Sequence, residues 1–310
     1  MSGLLILPTL LFALAGCDAG TSCGDAPKLS DGDDTLVGTE EADAFYGGLG
    51  DDDLSGMEGD DVLLGDAGDD TLRGGDDQDE LYGGDGIDTL LGEAGDDLLM
   101  GGEGDDVLDG GQGDDTLFGG VGDDDLAGRD GQDALYGDSG DDVLKGAEGD
   151  DVLDGGQGDD TLFGGVGDDT LRGGAGADSL AGGEGDDELY GDDDDDELAG
   201  GDGEDLLFGG DGLDTLDGGQ GVDLLYGGAG RDTFAASTLC GEEDLVLDFD
   251  PVYDLVSFEP GITEDQVWTM FISGDVKIAV GDAFCTVMVV LNTSSADWSS
   301  DNMVFTEASE

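Results

Sequence analysis

The chain has 310 residues, of which 64 are glycine, and its 82 Asp and Glu against 7 Lys and Arg give a formal net charge of −75. Such a charge excludes attraction to nucleic acid or to an acidic membrane surface and favours cations as partners. The sequence contains no histidine, which excludes Ser-His and Cys-His catalysis and HExxH zinc sites.

Residues 1–17 are predicted to be an export signal. An apolar run extends from Leu4 to Gly16 and is too short to span a bilayer comfortably. The residues Leu14-Ala15-Gly16-Cys17 resemble the lipobox of bacterial lipoproteins, although no Lys or Arg precedes the apolar run. Cys17 is therefore a candidate for lipidation. Residues 18–30 are predicted to be a linker.

Residues 31–235 carry one repeat without a slip. An apolar residue recurs every nine residues from Leu36 to Phe234, at 23 positions with no insertion or deletion. An Asp stands two residues before each of them, and a Gly stands two residues after each except the last, where Ala236 follows. The repeat is the nonapeptide G-G-x-G-x-D-x-U-x, in which U is apolar, and a fixed period of this kind indicates a solenoid.

Each place of the nonapeptide has a physical meaning. Glycine at the first, second and fourth places is expected to take positive φ and to turn main-chain carbonyls inward. The x-U-x triplet is expected to be a strand whose middle side chain points into the core. Carbonyl and carboxylate oxygens are the ligands of a hard cation, and Ca²⁺ accepts six to eight of them in flexible geometry, whereas Mg²⁺ demands a tight octahedron.

On these residues the chain resembles the repeats-in-toxin (RTX) family. The resemblance implies an all-β protein, a right-handed parallel β-roll in which six residues of each nonapeptide form a turn and three a strand. Two nonapeptides would make one coil, so that the repeats form a solenoid of about eleven coils. It also implies about twenty Ca²⁺ ions, with carbonyl ligands such as those of Gly101, Gly110, Gly119, Gly155, Gly164 and Gly173.

The sixth-place Asp residues are the predicted carboxylate ligands. They are Asp52, Asp61, Asp70, Asp88, Asp97, Asp106, Asp115, Asp124, Asp133, Asp142, Asp151, Asp160, Asp169, Asp178, Asp187, Asp205, Asp214, Asp223 and Asp232. Three turns carry Glu41, Asp77 or Asp194 in place of the fourth glycine, and sites there are predicted to be weaker or distorted. Asp79 and Asp196, which belong to two of these turns, are therefore not in the set.

Aromatic residues follow U mainly in even-numbered repeats, at Tyr46, Tyr82, Phe118, Tyr136, Tyr190, Phe208 and Tyr226. Since two repeats make a coil, these side chains are predicted to share one outer face. The exception, Phe163, lies in residues 148–169, an identical copy of residues 103–124 displaced by five repeats and hence onto the opposite face. The row is either a ladder that stiffens the sheet or an exposed stripe for a sugar or a partner protein.

Residues 236–310 are predicted to be a small antiparallel β cap, with strands in Asp244–Asp250, Tyr253–Phe258, Val276–Val280 and Val287–Leu291. A cap would protect the open edge of the roll. The segment resembles the flank that follows the repeats in type I secretion substrates, which implies an export route that conflicts with an N-terminal lipobox. In an exported protein a Cys240–Cys285 disulfide or free thiols are both open.

The leading hypothesis is a calcium-binding, exported rod, extracellular or on the cell surface, whose repeats fold on Ca²⁺ outside the cell. It is not expected to be an enzyme, since GxSxG is absent as well as His. The alternatives are a cell-surface adhesin or partner-binding protein, and a detached secretion and folding module of an exported enzyme. Expected partners are calcium ions and an unidentified protein or carbohydrate, with membrane contact only through a lipid anchor.

Overall fold

The computed structural model describes residues 31–236, 244–249, 253–258, 267–272, 275–280, 285–290 and 303–305. In this part of the chain all regular structure is β, and no helix is long and apolar enough to cross a membrane. The predicted export signal, Cys17 and the linker lie outside the described residues, as do Cys240 and the side chain of Cys285.

The repeats form two parallel sheets, one from odd-numbered and one from even-numbered strands. The odd sheet contains β1 (Thr35–Val37), β3 (Asp53–Glu58), β5 (Thr71–Asp76), β7 (Thr89–Ala94), β9 (Val107–Gln112), β11 (Asp125–Asp130), β13 (Val143–Glu148), β15 (Thr161–Val166), β17 (Ser179–Glu184), β19 (Glu197–Asp202), β21 (Thr215–Gln220) and β23 (Thr233–Ala236). The even sheet contains β2 (Ala44–Leu49), β4 (Val62–Ala67), β6 (Glu80–Asp85), β8 (Leu98–Glu103), β10 (Thr116–Val121), β12 (Ala134–Ser139), β14 (Val152–Gln157), β16 (Thr170–Ala175), β18 (Glu188–Asp193), β20 (Leu206–Gly212) and β22 (Leu224–Gly230).

The register between neighbouring strands is 18 residues throughout the roll. Leu117 of β10, for example, lies opposite Leu99 of β8 on one side and Leu135 of β12 on the other. Each coil is therefore two nonapeptides, and the predicted parallel β-roll is confirmed. A period without insertions produces this register because one slipped residue would turn every U side chain outward.

The strands are longer than the resemblance implied. A typical strand, Val107–Gln112, spans six residues rather than three, and the turn between strands shortens to the remaining three. The ladder pairs the x-U-x triplet, skips the first-place glycine, and resumes at the second and third places. Neighbouring coils bend at the same place, so hydrogen bonding between them continues through the bend.

The core is a column of U side chains from both sheets. Leu54 to Leu225 are buried at every repeat, and they form one cluster that runs from Phe45 to Val246, Phe249 and Val256. Each buried Leu contributes roughly 2 kcal/mol through removal of apolar surface from water. The core is thin, since only one side chain per nonapeptide enters it.

The C-terminal segment continues the roll before it changes direction. Strands β24 (Asp244–Val246) and β25 (Leu255–Phe258) pair in parallel with the last strands of the two sheets, and β29 (Met303–Phe305) pairs in parallel with β25. Strands β26 (Val267–Ile272), β27 (Asp275–Val280) and β28 (Cys285–Val290) are antiparallel neighbours, and β28 pairs in parallel with β24. The predicted antiparallel arrangement is thus wrong for β24 and β25, because they stack on the roll as further coils.

Candidate metal-binding turns

The sixth-place Asp residues are buried as deeply as the leucines two places later. Asp88 and Leu90 are both 0% exposed. One oxygen of each carboxylate is used by the fold, since Oδ1 accepts a hydrogen bond from the main-chain N–H of the sixth-place residue one coil earlier. The N–H of Asp88 donates to Oδ1 of Asp106 at 2.7 Å, and the N–H of Asp106 donates to Oδ1 of Asp124 at 2.7 Å.

The second carboxylate oxygen has no such partner. From Asp52 to Asp214, Oδ2 of each sixth-place Asp is buried and accepts no hydrogen bond from any residue that the structure describes. A buried polar atom without a partner costs about 1–3 kcal/mol, and more when it is charged. The roll therefore needs either a positive charge beside each ionised carboxylate or a proton on its Oδ2.

Burial has a direct effect on the acidity of these groups. Desolvation raises the pKa of Asp115 to about 8 and those of Asp79 and Asp124 to about 7. The hydrogen bond from the preceding coil opposes the rise, and neighbouring carboxylates such as Asp142 beside Asp124 add to it. The metal-free fold thus favours the protonated carboxylate.

The first-place glycine leaves room beside Oδ2. A Cβ on Gly101 would lie 2.3 Å from Oδ2 of Asp106 and 2.7 Å from the carbonyl oxygen of Gly119 in the next coil. The same relation holds for Gly137, whose Cβ would lie 2.3 Å from Oδ2 of Asp142 and 2.6 Å from the carbonyl oxygen of Gly155. One carboxylate oxygen and one carbonyl oxygen from successive coils therefore border the same small space.

The glycine requirement at the first place is one of space. The expectation of positive φ is confirmed for most second-place and fourth-place glycines, such as Gly102 (φ 125°) and Gly104 (φ 129°), but Gly101 itself does not adopt it. Positive φ at the first place is thus wrong, because a side chain is excluded there by the carboxylate rather than by the backbone angle.

A second row of Asp side chains lies on the outside of the turns, at the fifth place. These side chains are exposed and point the other way along the roll: the N–H of Asp123 donates to Oδ1 of Asp105, one coil earlier, at 3.1 Å. A turn with Asp at both places is therefore joined to the coil on one side by a buried carboxylate and to the coil on the other side by an exposed one.

All nineteen predicted carboxylate ligands lie in the buried row. Among the predicted carbonyl donors, those of Gly101, Gly110, Gly119, Gly155 and Gly164 border the space beside a buried Oδ2, and Gly173 occupies the first place of its own repeat. Which of these oxygens bind a cation stays a prediction.

Asp79 and Asp196, which the sequence analysis left out of the set, have the same surroundings as the other sixth-place Asp residues. Both are buried, at 2% and 3% exposure, and Oδ2 of each is as unpartnered as in the other turns. The fourth places of these turns keep positive φ, at 80° for both Asp77 and Asp194, a conformation that Asp tolerates better than most residues. The sixth-place Asp, without a glycine at the fourth place, is therefore enough to indicate a buried carboxylate.

The donor set fits a hard cation. It combines one carboxylate oxygen and main-chain carbonyls from adjacent coils, which is the all-oxygen environment that Ca²⁺ prefers. No three His, Cys, Asp or Glu side chains of the described segments converge on one point as a metal-binding cluster. A bound Ca²⁺ would supply the positive charge that the row lacks, with the Asp residues and first-place carbonyls as its holders.

Comparison with known proteins agrees with the repeat. A model of the RTX calcium-binding nonapeptide repeat matches residues 30–63, 55–90, 91–126, 127–162, 136–171, 163–198, 172–207 and 199–234. No curated protein sequence is significantly similar to the chain.

Two solved structures show a local likeness. The extracellular lipase LipA from Serratia marcescens is 18% identical, with 62% of this chain and 40% of that chain covered and a TM-score of 0.27. The AlgE6R3 subunit from the Azotobacter vinelandii mannuronan C5-epimerase is 27% identical, with 50% and 80% covered and a TM-score of 0.19. At these TM-scores neither likeness carries a conclusion.

Proposed function

Because the chain belongs to the family of RTX calcium-binding nonapeptide repeat proteins, we propose that it is an exported structural and binding protein whose roll folds when Ca²⁺ binds outside the cell. The observation that carries this proposal is the row of buried Oδ2 atoms without hydrogen-bond partners from Asp52 to Asp214. The fold buries many carboxylates, and its apolar core is thin. It therefore requires a partner for these carboxylates.

The buried Asp row and the first-place carbonyls are the proposed ligands. Asp79 and Asp196 belong to the set, since their carboxylates are placed like the rest. Successive ions along the roll would be separated by one coil, roughly 4.8 Å in strand spacing, and neighbouring sites would share the coil between them. Binding at one turn would order the next, so folding is expected to be cooperative in calcium.

The proposal includes a cellular setting. In a compartment poor in calcium the chain would stay unfolded, and after export the ion would fold it, so the metal would act as the switch. An N-terminal lipid anchor at Cys17 would hold the roll at the cell surface. The roll and its C-terminal strands have no catalytic role in this proposal.

The test is far-UV circular dichroism of residues 18–310 during a calcium titration of the metal-free protein at pH 7. Strand signal is expected to appear cooperatively with Ca²⁺, because the ion neutralises the buried row, and not with equal Mg²⁺. A chain that is fully folded without metal, or one that never folds in millimolar calcium, would refute metal-coupled folding.

A further inference from the structure

The two outer faces of the roll differ in character. On the even sheet the ninth-place side chains form a continuous row, which contains Tyr46, Leu64, Tyr82, Met100, Phe118, Tyr136, Asp154, Arg172, Tyr190, Phe208 and Tyr226. The adjacent seventh-place column adds only two charges, Glu80 and Glu188, and each accepts a hydrogen bond from a tyrosine hydroxyl of this row. This even face is a low-charge strip on a strongly acidic protein.

Five of the seven rings in the row stack on one another. Phe118 stacks on Tyr136 with centroids 4.8 Å apart, and Phe208 stacks on Tyr190 at 5.0 Å and on Tyr226 at 4.7 Å. These separations equal the coil spacing, so the ring normals lie close to the roll axis. The predicted ladder is therefore present in these parts of the row.

The row is interrupted at two successive coils. Asp154 lies opposite Tyr136, Arg172 lies opposite Asp154, and Tyr190 lies opposite Arg172. The face of the Tyr136 ring that is turned away from Phe118 therefore points along the roll toward Tyr190, which lies three coils, or roughly 14 Å, away. Between the two tyrosines is an open cleft of about 280 Å³. Its lining consists of Tyr136, Asp154, Arg172 and Tyr190 together with Val152, Leu153 and Thr170.

The carboxylate in this cleft accepts no hydrogen bond from any residue that the structure describes. Asp154 is half-buried, and the nearby charge of Arg172 lowers its pKa against the rise caused by burial, but the ion pair of that guanidinium is with Asp192. Asp109 stands at the same place of an identical sequence, GDDVLDGGQGDDTLFGG, on the odd sheet, and there it pairs with Arg129 at 2.7 Å. The residue 20 places later is Arg129 for Asp109 but Gly174 for Asp154, so only Asp109 receives a direct partner from the following coil.

We propose that this cleft binds a sugar ring of a neutral oligosaccharide. Tyr136 and Tyr190 offer flat apolar walls for the C–H faces of a pyranose. Between these walls Asp154 accepts hydrogen bonds from hydroxyl groups, and the Arg172 guanidinium and the Thr170 hydroxyl can donate to ring and hydroxyl oxygens. An apolar cleft with a few convergent polar groups is typical of a small-ligand site.

Charge favours this ligand over the alternatives. The net charge of −75 repels an acidic polysaccharide and a second copy of this chain alike. Arg172 already lines the cleft with a positive charge, which repels a ligand cation. A neutral, polyhydroxylated ring faces neither obstacle.

The test is calorimetric titration of the calcium-loaded full chain with cellohexaose, mannohexaose and chitohexaose, and with oligogalacturonate as the acidic comparison. At least one neutral hexasaccharide is expected to bind. Asp154→Asn, Arg172→Gln and Tyr190→Ala are each expected to weaken that binding by about tenfold, as loss of one buried hydrogen bond or stacking partner would.

The chain supplies its own matched controls. Asp109→Asn and Arg73→Gln change the same residues of the sequences GDDVLDGG and GDDTLRGG on the odd sheet, where the two side chains are not neighbours, and binding is expected to stay unchanged. Circular dichroism of every variant checks folding, and Asp154→Asn keeps the test valid if Tyr190→Ala misfolds.

Three outcomes would overturn the assignment. They are no binding of any neutral hexasaccharide, binding of oligogalacturonate alone, and equal weakening by the variants of the two faces. The cleft requires only a folded roll, so each of these results is independent of whether calcium, or something else, folds it.

Discussion

The turns and the outer faces of the roll obey different rules. In the turns the residue type is fixed at the sixth place, and from Asp52 to Asp232 each of these Asp residues is buried, with the same kind of contact to the coil before it wherever that contact is described. On the faces, the place after U holds Tyr, Phe, Met, Leu, Val, Ala, Ser, Asp, Arg or Lys. A solenoid has one way to close its turns but many ways to cover its sheets, so stability is expected to reside in the turns and specificity on the faces.

Acidification should have the largest effect on the turns. Burial raises the pKa of sixth-place Asp residues from 3.8 to values of about 6 to 8, so the folded metal-free roll takes up protons. The stabilising contribution is fully present below pH ~4 and is lost as the pH rises through 6 to 8. Metal-free protein is therefore expected to gain strand signal in circular dichroism on acidification from pH 8 to 4.

Calcium should reverse this dependence, since protons compete with the ion for the carboxylates. Molar sodium chloride at pH 8 is the control, because it screens repulsion between exposed charges but not between buried ones. If salt restores the signal as well as acid does, surface repulsion rather than the buried row controls folding.

A substitution in a single turn should have opposite effects on stability in the absence and in the presence of calcium. Asp124→Asn removes a buried charge whose pKa is raised to about 7, so metal-free protein at pH 8 should become more stable. In saturating calcium the variant should lose about 1–3 kcal/mol in the free energy of unfolding, because a charged ligand is gone. Urea unfolding with and without calcium measures both.

The neighbour Asp123 is the matched control. It is exposed, and the Oδ1 of an Asn there could still accept the N–H of Asp141, which donates at 2.9 Å. Asp123→Asn should change the free energy of unfolding by no more than about 0.5 kcal/mol, both with and without calcium. Equal effects at both positions would show that the buried and exposed rows are equivalent.

On the faces the expected effects are smaller, and they should differ between the sheets. Phe118→Ala removes a ring stacked on Tyr136 and should cost about 1–3 kcal/mol in calcium. Phe163→Ala, in the identical sequence on the odd sheet, removes a ring that is 46% exposed and should cost less than about 1 kcal/mol. Urea unfolding compares the two, and equal costs would mean that the aromatic ladder adds nothing.

Much of the fold could be predicted from the period alone. Nine residues per repeat and two repeats per coil place Leu117 between Leu99 and Leu135 and put Phe118 and Phe163 on opposite sheets, as the structure shows. The C-terminal strands could not be placed in this way, because β24 and β25 have no glycine pattern and their parallel pairing depends on the end of the roll that they cover.

The candidate site was predictable only in part. The Asp row followed from the motif. The turns with Asp77 and Asp194 were left out of the predicted set, yet their sixth-place Asp residues are buried like the others, because Asp at positive φ keeps these turns closed. The role of the first-place glycine could not be predicted from the sequence either. Only the tertiary structure shows that its missing Cβ leaves space between Oδ2 of one turn and a carbonyl oxygen of the next coil.

The sequence by itself determined the coil, the core and the charge of this protein, because each of these depends on a residue type repeated at a fixed spacing. The tertiary structure decided which oxygens are buried without a partner and which neighbours meet across coils. Asp109 and Asp154 stand in identical sequences, yet Asp109 is paired with Arg129, whereas Asp154 lies between Tyr136 and Arg172 of the even face and accepts no hydrogen bond from the described residues. The physical reason is that the coils before and after a residue, rather than its local sequence, supply its environment.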